Sequence, residues 1–595
     1  MEGKGFRRWG GVLYLKRDKK KNGRVYLSIT ESYRNAEGVQ RNRVVRSLGY
    51  LDDLEREWGP DALARCEAIR DEMTAEARER TAPQTVTIHP AEKVDKHTEN
   101  RKNIGAAVPL AYYNLLGIER AIRNACRGRR LGFDCNAAMR LLVADRLFDR
   151  DSKLAAWKNK DRWFFEAKLS DDDVYRALDV LAAAKDSIIG AMNRSMAATG
   201  LRSPGGNVFY DVTNYYFEVD GEDGLRMKGV SKEHRPDPIV QMGLLQDANG
   251  IPIAYRKFPG NTADCATMIP VLADMKRDHG LERVVCVADK GLNCSDNIAA
   301  AAASGDGFVF SQSIRGAKSD EELKAWVLDG AGYAHGSEDG SAFKMKSRQG
   351  YKTVHLKAAD TASGKAKDVE VEVKYVAFWS EKYERRARRK REEAIEKARK
   401  LIANPGAYTK ATSHGAAQYV RNLHFDKETG EVAEGSKLEL DLDAIAEAEK
   451  YDGYYLIVTS ETGWADGKVI DTYRELWRIE ESFKVTKSEL RTRPVFVWTP
   501  DHIEAHFLVC YIALVILRLL QLATGLPCSR IREEIAAMNG TNMDANWWVF
   551  GHRTDESDMI VEAVGLEELK LKNLTTGKAK GILAKAAKWK IPHAK

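Results

Sequence analysis

The hydrophobic pattern changes period several times along the chain. In residues 1–50, VLYLKR, VYLSITESYR and VQRNRVVRSLGY alternate apolar and polar side chains, and Asn22-Gly23 and Ala36-Glu37-Gly38 fall between them as hairpin turns. The period then lengthens to that of a charged amphipathic helix over 51–80, and a polar linker follows at 81–103. Helical spacing continues over 108–126, 136–148 and 171–197, with Ser170 ahead of an acidic first turn as the N-cap of the last. From residue 206 the stretches NVFYDVTNYYFEV, PIVQMGLLQD and IPIAYRKFPGN read as strands, followed by a helix at 263–279. ERVVCVADKGLN is a continuous apolar strand at 284–288 that stops abruptly at Asp289, Lys290 and Gly291. A helix at 295–303 and the strand GFVFSQS complete this stretch.

The resulting order, β-β-β-α-β-α-β, is that of a ribonuclease H-like core. It puts Asp211 inside the first strand and Asp289 at the tip of the fourth, on adjacent central strands. Residues 318–450 interrupt the order with β-prone segments (YKTVHLKA, DVEVEVKYVAFW) and a helix at 380–402 bearing the run RRARRKREE. The strand YDGYYLIVTS at 451–460 then leads into DTYRELWRIEESFKVTKSELRTR at 471–493, which has no Gly or Pro and is predicted as one helix. Tyr473, Glu480 and Lys487 recur in it every seven residues and so share a face. A surface salt-bridge face is the alternative for that helix alone. Trp477 either packs in the core, the favoured reading, or stacks on a base. The fold class is thus multidomain α/β: a basic β unit and helix at 1–80, a helical domain at 105–200, the core at 205–317 and 451–525, a long β-rich and helical insertion at 318–450 before the glutamate helix, and a small C-terminal region at 526–595.

Composition narrows the classes. The chain has 595 residues, 44% hydrophobic and 30% charged, which describes a core-forming protein rather than a disordered one. The net charge of +7 permits a polyanionic partner. The set Arg7, Arg8, Lys16, Arg17, Lys19, Lys20, Lys21, Arg24, Arg34, Arg41, Arg43 and Arg46 crowds the first small sheet, as a solvated surface or as a nucleic-acid contact. Eight scattered cysteines with no CxxC pair read as reduced thiols of a cytosolic protein. The longest apolar run, 507–517, falls short of the ~20 residues of a membrane span and ends at Arg518, so a buried core helix is expected and no membrane partner. His502 and His506 are spaced i, i+4, but HIEAH has its glutamate one place too late for a metalloprotease, and no phosphate-binding GxxxxGK[ST] loop occurs.

Asp211, Asp289 and Glu480 are the acidic residues set within or at the ends of otherwise apolar elements. Converging carboxylates repel unless cations lie between them, and an all-oxygen site suits Mg²⁺ or Mn²⁺. With these residues in view, the chain resembles the DDE transposases of bacterial insertion sequences, in the group whose glutamate helix bears the YREK signature. Tyr473, Glu480 and Lys487 match that signature in type and spacing; its arginine position holds Leu476, leaving Arg478 or Arg474 for that role. YDVTNYYFE, GNTAD, VADKG and RPVFVWTPDHIEAH are similar to the family as well. The resemblance implies catalytic and metal-ligating roles for Asp211, Asp289 and Glu480, with two Mg²⁺ or Mn²⁺ ions. It implies DNA contacts from Tyr473, Arg478 and Lys487. Arg388 and Arg389, in the basic run of the insertion, are expected to add others. It further implies a homodimer acting on double-stranded DNA, cutting element ends at terminal inverted repeats and joining the 3′ ends to target DNA. A ribonuclease H-fold nuclease without strand transfer, or a DNA-binding derivative that has lost catalysis, are the rival readings.

Overall fold

The structure is a computed structural model. It describes residues 12–34, 40–81, 99–202, 205–219, 221–229, 237–279, 282–315, 320–356, 366–408, 437–493, 495–544 and 546–591, with short pieces at 91, 93, 96, 413, 415–424 and 432. It falls into two compact units, 1–96 and 97–595.

In the first unit β1 (Val12–Lys19), β2 (Val25–Arg34) and β3 (Gln40–Tyr50) form an antiparallel sheet in that order. Gly23 supplies the positive φ of +80° that the first hairpin turn needs. The second turn, at 35–39, and the basic residues Arg7 and Arg8 lie outside the described residues. The expected single helix over 51–80 is two, α1 (Leu51–Trp58) and α2 (Ala62–Thr81). Gly59 at φ +85° and then Pro60 end the first, a stop that the amphipathic period alone conceals. Leu27, Leu54, Ala62 and Cys66 form the small core. Many cations expected to be free are paired: Arg24 with Asp52 and Asp53, Arg43 with Glu31, Arg17 with Glu67. Arg41 and Arg46 remain exposed without an ion pair among the described residues.

The second unit starts with β4 (Arg101–Asn103) and six helices: α3 (Ala107–Leu115), α4 (Ile118–Ala125), α5 (Cys135–Phe148), α6 (Lys153–Lys158), α7 (Asp171–Ala183) and α8 (Lys185–Ala198). Two predicted helices are again each split, at Gly117 (φ +71°) and at Ala184. Ser170 caps α7, and Asp173 returns the bond in a capping box.

The centre is one nine-stranded sheet. β5 (Gly206–Tyr216), β6 (Ile239–Asp247) and β7 (Pro252–Pro259) run antiparallel. After α9 (Met268–His279), β8 (Val284–Ala288) pairs parallel to β5; after α10 (Ser295–Ala303), β9 (Gly307–Ser311) pairs parallel to β8. These five strands lie in the order expected of a ribonuclease H-like core. β8 and β9 are buried along their whole length, because helices cover both faces. Next come α11 (Glu321–Leu328), β10 (Ala334–Glu338), β11 (Ser341–Leu356) and β12 (Lys367–Ser380), then α12 (Glu381–Ala403), β13 (Val420–Arg421), β14 (Glu439–Leu440) and α13 (Leu442–Glu449). β15 (Tyr454–Thr459) closes the gap between β9 and β12, so the sheet reads β10-β11-β12-β15-β9-β8-β5-β6-β7. Thus β10 to β12 extend the central sheet itself.

α14 (Asp466–Arg474), α15 (Trp477–Lys484) and α16 (Pro500–Thr524) follow. α16 is the one helix among the described residues long and apolar enough to cross a membrane, and 78% of its apolar window is buried inside the protein, as in a core helix. The chain ends in α17 (Cys528–Ala537), β16 (Asn539–Asp544), β17 (Trp547–Phe550), α18 (Asp555–Ala563), β18 (Asn573–Thr575) and α19 (Thr576–Ala586). β16 pairs with β4, tying this last segment to the start of the unit.

Candidate active site

Register brings two of the three carboxylates together. Phe209 on β5 lies opposite Val287 on the parallel strand β8. Continued two residues past that pair, the register sets Asp211 of β5 beside Asp289, the residue that follows the end of β8, one strand spacing (about 4.8 Å) away. Side chains two apart share a face, so both aspartates stand on the face where Phe209 and Val287 join the larger core. Asp289 is exposed, having left the strand at its carboxyl end; Asp211 is half-buried.

The third carboxylate sits on an element that differs from the expected single helix. The chain breaks at Glu475 and Leu476 between α14 and α15, and turns into a π-helical segment at Val485–Glu489. Glu475 and Leu476 keep right-handed helical backbone, so the breaks alter the angular step between Tyr473, Glu480 and Lys487 without reversing the chain, and the tertiary contacts of each locate it. Tyr473 donates its hydroxyl to Asp289 Oδ1 at 3.3 Å. Burial, and then the Asp289 charge, push that hydroxyl's pKa well up, so it stays a donor. Lys487 Nζ lies 5.9 Å over the Tyr215 ring on β5, four residues beyond Asp211. Glu480 is exposed, with no hydrogen bond or ion pair among the described residues.

The remaining expected contacts fare unevenly. Ser482 and the Arg478 carbonyl are held by Arg518 of α16. At about 100° per residue Glu480 lies roughly 160° around the helix from both, on the side away from α16. Arg478 itself packs near Gly250 and pairs with Glu475, away from the Glu480 face. Arg474 is committed elsewhere, paired with Glu338 within a cage of Phe343, Phe378 and Tyr383 rings. Trp477, expected in the core, is 55% exposed. On α12, Arg388 pairs with Glu384 and Arg389 with Glu393, while Arg391 is buried against Asp452 and Glu449.

Buried cations that the sequence reading assigned no part anchor the glutamate element. Arg146 of α5 donates to the carbonyls of Leu490 and Arg491, where the π-helical segment ends. Arg532 of α17 pairs with Glu489 at 3.0 Å. His506 is buried; its Nε2 donates to the Thr492 carbonyl, leaving Nδ1 to accept from Lys153 at 2.5 Å. Burial pushes Lys153 down to about 7 and His506 well below its usual value. The apolar run interrupted by Arg518 was the one sequence signal for this layer.

Among the described residues no three His, Cys, Asp or Glu side chains stand close enough to hold a metal together. The donor chemistry of the three nonetheless fits a hard divalent cation, since each would ligate through oxygen: Asp211 and Asp289 on one sheet face, and Glu480 on the exposed side of α15. Two models of known protein families match the chain. Residues 15–86 match the IS1634 family transposase N-terminal domain, and residues 238–516 match the transposase DDE domain. The chain belongs to the DDE transposases of insertion sequences. The second match spans Asp289 and Glu480 and starts after Asp211, which the β5–β8 register places beside Asp289. No curated protein matches the chain. As a transposase it acts on DNA.

Proposed function

We propose that this transposase cleaves the terminal inverted repeats of its insertion sequence and joins the freed 3′ ends to target DNA, with Asp211, Asp289 and Glu480 as the metal-holding carboxylates. The placement of Asp211 within β5 beside Asp289 at the carboxyl end of the parallel strand β8 carries the reading. Asp211 and Asp289 would hold a divalent cation, Mg²⁺ or Mn²⁺, with Glu480 completing the set. Such a cation supplies an activated oxygen nucleophile and stabilises charge at the phosphate. Tyr473 fixes the Asp289 carboxylate by its hydrogen bond. Lys487 offers a point charge to a backbone phosphate. The segment 318–450 serves as an insertion that widens the sheet before the glutamate element. Because an element has two ends, a dimer with one site per end is the working assembly.

The test uses Asp211→Asn, Asp289→Asn and Glu480→Gln on the ends that flank the reading frame. Each should abolish Mg²⁺-dependent cleavage and leave end binding intact, and the triple variant should be no worse than any single one, since ligands of one centre act as a unit. Ca²⁺ should support binding without chemistry. Cleavage by any single variant removes that residue from the site; undiminished turnover in EDTA removes the mechanism. Wild-type products that are cut but never joined to a supercoiled target would mark a nuclease instead.

A further inference from the structure

The cations of the 385–391 run on α12 divide by partner. Arg385, Arg388, Arg389 and Arg391 all pair with acids, and Arg388 also lines a cavity with Trp379, Asp452 and Tyr454. Arg386 and Lys390, one turn apart on a shared face, are exposed and have no acidic partner among the described residues. Glu393 is the acid nearest that face, and Arg389 takes it.

The same side of α12 meets the sheet next to the candidate site. Tyr383, three residues before Arg386, packs its ring 5.3 Å from that of Tyr455 on β15. Tyr455 also stacks on Phe378 at 5.3 Å and 11°, yet remains 40% exposed. Ile457, two residues further along β15, lies opposite Ser311 of β9, and Phe310 lies opposite Ala288 of β8. Tyr455 therefore shares the face of Asp289, two strands across and two residues along, a separation of about 12 Å. Tyr383, Arg315, Arg386 and Asp289 all bear on its hydroxyl, which burial pushes up. An open aromatic face beside unpaired cations, on the approach to a phosphoryl-transfer site, matches the two demands of a nucleic-acid strand: stacking for a base and charge for its backbone.

We propose that Tyr455 and the Arg386–Lys390 face of α12 form a ledge that holds the DNA strand leading to Asp289. The inference rests on the proposed function and adds positioning residues to it. At about 3.4 Å of helix axis per nucleotide, the 12 Å separation puts Tyr455 three to four nucleotides from the reacting phosphate.

Two measurements on the full chain test it. With a random-sequence duplex, the double variant Arg386→Gln/Lys390→Gln should flatten the slope of log K against log salt by about 1.8, at 0.9 per phosphate contact. Both sites are exposed on a helix, so the variant folds. With 2-aminopurine three or four nucleotides from a pre-cut 3′ end, wild type and Tyr455→Phe should quench the probe and Tyr455→Ala should not. Single-turnover cleavage should drop at least tenfold in Tyr455→Ala and be restored in Tyr455→Phe, which keeps the ring. An unchanged slope overturns the cation half of the ledge, and equal quenching in Tyr455→Ala overturns the stacking half. A wild type that shows slope and quench but cuts no DNA leaves the ledge standing and sinks the proposed function instead.

Discussion

Arg518→Met isolates what holds the glutamate element in place. Arg518 is 5% exposed and lies within α16. Its Nε and one terminal nitrogen donate to Ser482 Oγ at 3.0 and 2.6 Å, the same nitrogen reaches the Arg478 carbonyl at 3.1 Å, and the other reaches Glu481 at 3.0 Å and Gln521 at 2.5 Å. Methionine keeps the apolar stem and removes every one of these bonds. Breaking a buried charged network costs about 3–5 kcal/mol when a partner is stranded. Here Ser482 keeps its bond to Gln246, and Glu481 is 31% exposed and is relieved by water. The expected loss therefore sits at the lower end, about 3 kcal/mol, read as a shift of the urea midpoint at constant m. Glu481→Gln, which loses only the half-exposed ion pair, should cost about 1 kcal/mol or less. Glu480 lies on the far side of α15 from Arg518, so the freed helix moves the carboxylate without altering it. A displacement near 1 Å is worth about 100-fold in rate. Single-turnover cleavage of Arg518→Met should fall by that order while end binding changes severalfold at most. Cleavage within threefold of wild type, in a variant destabilised as stated, would show that α15 is positioned by something else.

Two other changes probe the scaffold. Lys153 is depressed to about 7 by burial, so the unfolded chain binds more protons than the folded one from there up to the ordinary lysine range. Stability should accordingly rise from pH 7 to 9 by about 2 kcal/mol more in wild type than in Lys153→Met; Asp145, raised by burial to about 7, is ionised over most of that window. Parallel pH profiles of the two proteins would refute the depressed lysine. Gly105→Ala would set a Cβ 2.2 Å from the Ile535 carbonyl oxygen, backbone against backbone, and should cost about 1–3 kcal/mol in denaturant unfolding; a neutral result would mean that the start of α3 shifts freely against α17.

What the sequence discloses and what it hides divide along physical lines. The apolar run of β8 stops at Asp289 because a charge cannot continue a strand buried on both faces, so that carboxylate announces itself. The break at Glu475 and Leu476 announces nothing, since every residue there is a fair helix former. It coincides with Arg474 being drawn to Glu338 and its cage of rings, contacts 90 or more residues away in the chain. The pairs Arg388–Glu384 and Arg389–Glu393 were readable in principle from i, i+4 spacing, and they redirect attention to the cations with no such neighbour. The anchoring layer was hidden for the opposite reason: Arg146, Lys153, His506 and Arg532 look like ordinary polar residues of amphipathic helices until the fold buries them. Glu480 makes no ion pair among the described residues, and the element carrying it is fixed from its other side. Arg518 grips the helix opposite Glu480, while Arg146, Arg532 and His506 seize the chain just after Lys487. Arg518, Arg146 and Arg532 are buried and bonded, whereas Glu480, on the element they fix, is exposed and makes no ion pair among the described residues.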